Sequence, residues 1–155
     1  MRKIQKWQLD ILLAEDNQQD VELFEMALNE CGHVRSLRVV RDGEELIQYM
    51  KAEPPFDGPG RVQPNVIFMD LKMPKLDGFD VLKWLKRHPE WGVIPTMVLS
   101  GSALQADVRK AYQLGANAFF NKPTRFGELA KILEVTFEFW SRCERPDAAP
   151  VSAET

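Results

Sequence analysis

A chain of 155 residues, 45% of them hydrophobic, is the size of one domain around a single core. A net charge of -3 and a pI of about 5.5 give no bulk attraction to nucleic acid or to an anionic membrane surface, and no basic run supplies one locally. Cys31 and Cys143 stand alone, with no His or second Cys at ligand spacing, which argues against both a zinc site and a disulfide framework.

The opening MRKIQKWQ carries basic residues with no long apolar run behind them, so it is neither a signal peptide nor a membrane span. Residues 1–8 are an N-terminal extension, and the chain is expected in the cytoplasm. ILLA (11–14) reads as the first strand, and Val21, Phe24, Leu28 and Cys31 follow on one face of a helix. SLRVV (36–40) is the second strand. In AEPPFDGPGRVQP (52–64), four prolines and two glycines exclude regular structure, which leaves a long loop. NVIFM (65–69), TMVLS (96–100) and AFF (118–120) are the third, fourth and fifth strands. Phe126, Leu129, Leu133, Phe137 and Trp140 then share one face of a closing helix. From Ser141 the composition turns small and polar, so residues 9–140 form the domain and 141–155 a tail, disordered past Pro146. Short apolar runs alternating with amphipathic stretches are the pattern of βαβ units, so the fold class is α/β with a parallel sheet.

The strands end on polar groups: the first on Glu15 and Asp16, the third on Asp70, the fourth on Ser100, the fifth on Lys122 in AFFNKP. In an open parallel sheet the carboxyl ends of the strands share one edge, so these groups converge. Three carboxylates brought that close repel one another unless a cation sits among them, and an all-oxygen cluster with room for water suits Mg²⁺. Asp70 then reads as a nucleophile able to form an aspartyl phosphate, with a metal and Lys122 neutralising the phosphoryl oxygens and Ser100 donating a hydrogen bond.

EDN after the first strand, MDLKMPKLDG around the third, a hydroxyl ending the fourth and KP ending the fifth resemble the receiver domain of two-component response regulators over about residues 9 to 140. The proline-rich loop and the ending FEFW further resemble the small stand-alone regulators that accompany bacterial phytochrome kinases. The resemblance implies a flavodoxin-like (βα)5 fold, doubly wound, with sheet order 2-1-3-4-5. It implies phosphorylation of Asp70 by the phosphohistidine of a sensor histidine kinase. It also implies Mg²⁺ held by Asp16, Asp70 and the backbone carbonyl of Lys72, with Glu15 reaching the metal through water, and a cis peptide bond between Lys122 and Pro123. Phe119 stands where the family places a switch aromatic, usually Tyr, that moves inward when Ser100 engages the phosphoryl group.

Other readings compete. Ser100 could end a strand and cap the next helix, Lys122 could be a surface lysine at a turn, and Phe119 or Phe120 could be plain core. Asp77 and Gly78 are explained by a helix N-cap after a turn. A dinucleotide-binding enzyme would need a glycine-rich turn where this chain has EDNQQD, and an aspartyl phosphatase would carry an acid where it has Lys72. A receiver-like scaffold that binds partners without being phosphorylated stays open. Phe139 falls two residues from Phe137, off the stripe facing the sheet, and with Trp140 it points to a homodimer through the closing helix.

Overall fold

The structure, a computed structural model, describes residues 8–102 and 104–146. Residues 1–7 of the expected extension and 147–155 of the expected tail lie outside the described residues. Five parallel strands form one sheet in the order β2-β1-β3-β4-β5, the doubly wound flavodoxin-like arrangement. They are β1 (Leu9–Ala14), β2 (Val34–Val40), β3 (Val66–Met69), β4 (Thr96–Ser100) and β5 (Ala118–Asn121), separated by α1 (Gln18–Asn29), α2 (Gly43–Met50), α3 (Gly78–Arg87), α4 (Pro89–Gly92) and α5 (Gln105–Gln113) and closed by α6 (Phe126–Arg142).

The central strands are apolar without alternation because both faces are covered. Leu12, Ala14, Ile67, Met69 and Val98 point to a core shared with α2, α3 and α5. Ile11, Leu13, Phe68, Met97 and Leu99 point to a second core under α1 and α6. Phe68 centres that second layer, with its ring centroid 5.4 Å from Phe24, 5.8 Å from Phe137 and 6.5 Å from Phe120. The two phenylalanines of β5 thus divide: Phe120 packs on the α1/α6 side and Phe119 on the other.

The starts of α1, α2 and α3 follow from local hydrogen bonding. The side chain of Asn17 accepts from Asp20 N at the start of α1, Asp42 caps α2, and Asp77 and Asp80 form a reciprocal capping box on α3, as the turn before Gly78 leads one to expect. The segment 52–64 carries no helix or strand. Arg61 secures it, donating to the carbonyls of Tyr49 and Met50 at the end of α2.

Three features differ from the sequence reading. A short helix, α4, interrupts the link between α3 and β4, with Pro89 at its first position and Trp91 stacked 5.0 Å from Trp84. The last helix continues to Arg142, because Phe137 and Ser141 are still buried one turn apart. The peptide bond between Lys122 and Pro123 is not cis; among the described residues the cis bond is Pro54–Pro55. The lysine reaches the strand ends without it, since the register of β5 already seats Lys122 N on the carbonyl of Ser100 at 2.8 Å.

At the opposite edge of the sheet, Asp10 is buried within β1 and paired with Arg35 and the Ser36 hydroxyl. No helix among the described residues is long and apolar enough to cross a membrane.

Candidate functional site

The sheet order sets β1 beside β3, and Ala14 pairs with Met69, so the next residue on each strand is an acid at the same edge. Backbone bonds fix both: Asp70 N donates to Ala14 O at 3.1 Å, and Glu15 N to Val40 O at 3.0 Å. Behind Asp70 the chain turns into α3, where Gly78 N donates to Leu71 O at 2.9 Å. A Cβ on Gly78 would stand 2.7 Å from the carbonyl oxygen of Asp70, so only glycine lets the helix start approach the strand end this closely.

Glu15, Asp16 and Asp70 each offer a carboxylate oxygen within 4.8 Å of the others. Glu15 and Asp70 are buried and Asp16 is exposed. Hard oxygen donors in this number, with one side open to solvent, fit a small divalent cation that keeps part of its water shell. Asp70 is held through both oxygens: Oδ1 accepts from Lys72 N at 3.3 Å and Oδ2 from Lys122 Nζ at 2.8 Å.

Lys122 is the cationic centre of the site. Its ammonium lies 2.8 Å from Asp70 Oδ2, 2.9 Å from Glu15 Oε2 and 2.8 Å from Asp20 Oδ2. Burial alone would lower its pKa, but the hydrogen bonds it donates to Asp20, Asp70 and Glu15 outweigh that and hold it well above the ordinary lysine value. Burial pushes the Glu15 carboxyl up, and the ammonium of Lys122 offsets only part of the rise. A solvent-facing turn lysine would show neither effect, and three carboxyl groups sharing one ammonium, with Asp16 beside them, leave the site anionic and receptive to a further cation.

Ser100 is buried at the end of β4, its Oγ accepting from Ser102 N at 3.3 Å. It does not cap the next helix, since α5 begins only at Gln105 after Leu104. Ser100 and Lys72 line one cleft together with Asp16, Asp77 and Ser102. Phe119 stands apart: it packs against the α2/α3/α5 core, and its backbone N donates to the Tyr112 hydroxyl at 3.1 Å.

The structure therefore gathers the acids, Ser100, Lys72 and Lys122 at one edge, with Phe119 one layer away. Sequence reasoning missed Asp20, a third partner of Lys122. Its signal was present in EDNQQD: once Asn17 caps α1, the third residue after the cap lies in the first turn, beside the strand end that carries Glu15.

Comparison with known proteins agrees with this geometry. The family model for the response regulator receiver domain matches residues 11–134. "Probable methanogenesis regulatory protein FilR2" of Methanothrix harundinacea is 34% identical over 130 residues, 84% of this chain and 82% of that protein. Response regulator Rcp1 of Synechocystis sp. is 32% identical over 130 residues, 84% of this chain and 87% of that protein. The crystal structure of Mn²⁺-bound Rcp1 aligns with a TM-score of 0.78 at 29% identity, covering 89% of this chain and 99% of that one. The phosphorylated cyanobacterial phytochrome response regulator RcpA aligns with a TM-score of 0.80 at 33% identity, covering 90% of this chain and 99% of that one. With a parallel 2-1-3-4-5 sheet, an acidic trio at its carboxyl edge and a lysine locked onto Asp70, the chain belongs to the response regulator receiver domain family.

Proposed function

We propose that Asp70 is the phosphoacceptor of this receiver, taking a phosphoryl group from the phosphohistidine of a sensor histidine kinase. The observation that carries this is the grip on Asp70, a buried carboxylate fixed by Lys72 N and Lys122 Nζ, next to Glu15 and Asp16. A carboxylate oxygen of Asp70 attacks phosphorus, the P–N bond of the donor breaks, and the histidine nitrogen leaves with the electron pair. Lys122 then bonds the phosphoryl oxygens, and Ser100, the only hydroxyl ending a strand at this edge among the described residues, donates a further hydrogen bond. Glu15, Asp16, Asp70 and the carbonyl of Lys72 would hold Mg²⁺, which supplies charge neutralisation on the phosphoryl group when bound; the Mn²⁺ in the Rcp1 structure supports a divalent ion. The same residues that promote transfer in would promote hydrolysis out, so the domain assists its own phosphorylation and dephosphorylation.

Engagement of Ser100 is the step that would draw Phe119 inward and change the face formed by α5, β5 and α6. Likeness to phytochrome response regulators supports a bacterial phytochrome as the kinase and the cytoplasm as the site of action. The output surface would be a homodimer through α6. Val135 and Phe139 are exposed there, and Phe139 meets Trp140 edge-on at 5.1 Å beside a groove floored by Met97 and Phe120.

Incubation with acetyl phosphate and Mg²⁺ tests the central reading. Wild type should gain one phosphoryl group by mass, labile to hydroxylamine, and Asp70→Asn none. A wild type that takes up no phosphoryl group from acetyl phosphate or from a phosphorylated kinase would leave the receiver-like scaffold as the correct account.

A further inference from the structure

We infer that Asp20 is a positioning residue, a holding point that keeps the Lys122 ammonium at the site when Glu15 and Asp70 turn to a divalent cation. The inference rests on the cation reading of the acidic trio. Lys122 has three ammonium protons, and each faces a carboxylate at 2.8 or 2.9 Å. Two of those partners, Glu15 and Asp70, also belong to the trio whose oxygens lie within 4.8 Å of one another, and the third does not. The ammonium and a cation therefore compete for Glu15 and Asp70, but not for Asp20.

The three partners also differ in exposure. The side chains of Glu15 and Asp70 are 4% and 10% exposed, whereas that of Asp20 is 37% exposed. Giving up a buried acid leaves it short of a partner, so Glu15 and Asp70 hold the lysine until another cation replaces it. Asp20 can keep the lysine or release it to water at little cost. It is also anchored independently, because its backbone N is fixed by the Asn17 cap at 3.1 Å, on a helix that packs over the Phe68 core. A carboxylate that is rigid in backbone, half solvated and outside the trio can take the lysine when the trio is claimed, and yield it when a phosphoryl oxygen arrives. Without Asp20, the ammonium would stay on Glu15 and Asp70 and oppose the cation, or leave the site for solvent.

The test is a double-mutant cycle on cation affinity, with Mn²⁺ binding followed by electron paramagnetic resonance at 0.15 M salt. Asp20→Asn preserves shape and should weaken Mn²⁺ binding about fivefold, the ~1 kcal/mol of a half-exposed ion pair converted at 1.4 kcal/mol per tenfold. Lys122→Met should tighten binding, and adding Asp20→Asn to it should change affinity less than about twofold. Asp20→Glu should restore wild-type affinity. In a second readout, the ¹⁵N resonance of the Lys122 ammonium should stay protected from water exchange when Mg²⁺ is added to wild type, and lose that protection in Asp20→Asn. Equal Mn²⁺ losses on Asp20→Asn in both backgrounds, or a lysine signal indifferent to Asp20, would overturn the inference and leave the cation site standing. A wild type that binds no Mn²⁺ would overturn both.

Discussion

Gly78 is where the fold of the site can be tested by a single methyl group. It is the first residue of α3, and an added Cβ would sit 2.7 Å from the carbonyl oxygen of Asp70, 2.9 Å from Leu71 Cα and 3.1 Å from Leu71 Cδ2. Ordinary contact begins near 3.4 Å, so helix and strand end must part by several tenths of an ångström, and two of the three obstacles are backbone or Cα atoms that cannot rotate away. Overpacking of this kind costs about 1 to 3 kcal/mol. Against it stands the ~0.4 to 1 kcal/mol that alanine gains over glycine by restricting the unfolded chain. The net for Gly78→Ala is a loss centred on ~1.3 kcal/mol, or about 3 to 5 °C in Tm for a domain of this size. Gly127 in α6 is the control, because a Cβ there meets nothing within 4 Å, and Gly127→Ala should be stabilising by the entropy gain alone. The assay is thermal and urea unfolding of both variants, joined to phosphorylation by acetyl phosphate, since the atom displaced belongs to Asp70, the proposed acceptor. A Gly78→Ala protein that melts at or above wild type would refute the close-approach argument.

Asp16→Ala should bind Mg²⁺ at least tenfold more weakly by calorimetry yet match or exceed wild type in metal-free thermal melts, because the trio loses a carboxylate that none of the described ion pairs neutralises. Asp10 gives a pH dependence of definite sign. Burial would raise its pKa, but the bonds from Arg35 and Ser36 and the charge of Arg35 bring it below 3.8. Its contribution is therefore complete above about pH 3.8 and is lost as pH falls through the lower folded value. Asp10→Asn, measured by urea unfolding, should cost about 1 to 2 kcal/mol at pH 7, discounted for the exposed Arg35, and the difference from wild type should shrink below pH 3.8. For the proposed dimer, sedimentation should show wild type associating in the presence of beryllofluoride and Phe139→Ala failing to; wild type monomeric under all conditions would direct the aromatic edge to a different partner.

The central strands β3 and β4 were legible as short apolar runs bounded by turn residues, whereas the edge strand β2, VRSLRVV, showed only its apolar end, and the buried faces of α1 and α6 were legible because their apolar residues repeat at helical spacing. Less visible were features whose signal is spread over space. Helix α4 is four residues long, and its sequence PEWG gives no period to detect; what holds it is the Trp84–Trp91 stack with residues of α3. The peptide bond before Pro123 was expected to be cis by resemblance, yet the strand register already delivers the lysine. Gly78 was read correctly as part of a capping turn, but its sequence neighbours could not reveal the Asp70 carbonyl lying against it, a contact made across the β3–α3 link.

The acids show the same division between order and placement. Reading strand ends in sequence finds Glu15, Asp16, Asp70, Ser100 and Lys122, because all strands of a parallel sheet point one way and their ends must meet. It does not find Asp20, which arrives from the side of the first helix rather than from a strand end. The consequence is electrostatic. With only the trio, Lys122 would have two buried partners among the acids it touches, and its displacement by a cation would leave it facing water or a repelling ion. With Asp20 at 2.8 Å, displacement would exchange one carboxylate for another that is more hydrated, and the lysine would stay within reach of Asp70 through the proposed cycle. On the proposed reading, this arrangement would separate two tasks that compete for the same oxygens: Glu15 and Asp70 would face the cation, while Asp20 would retain the cationic side chain that is to meet the phosphoryl group.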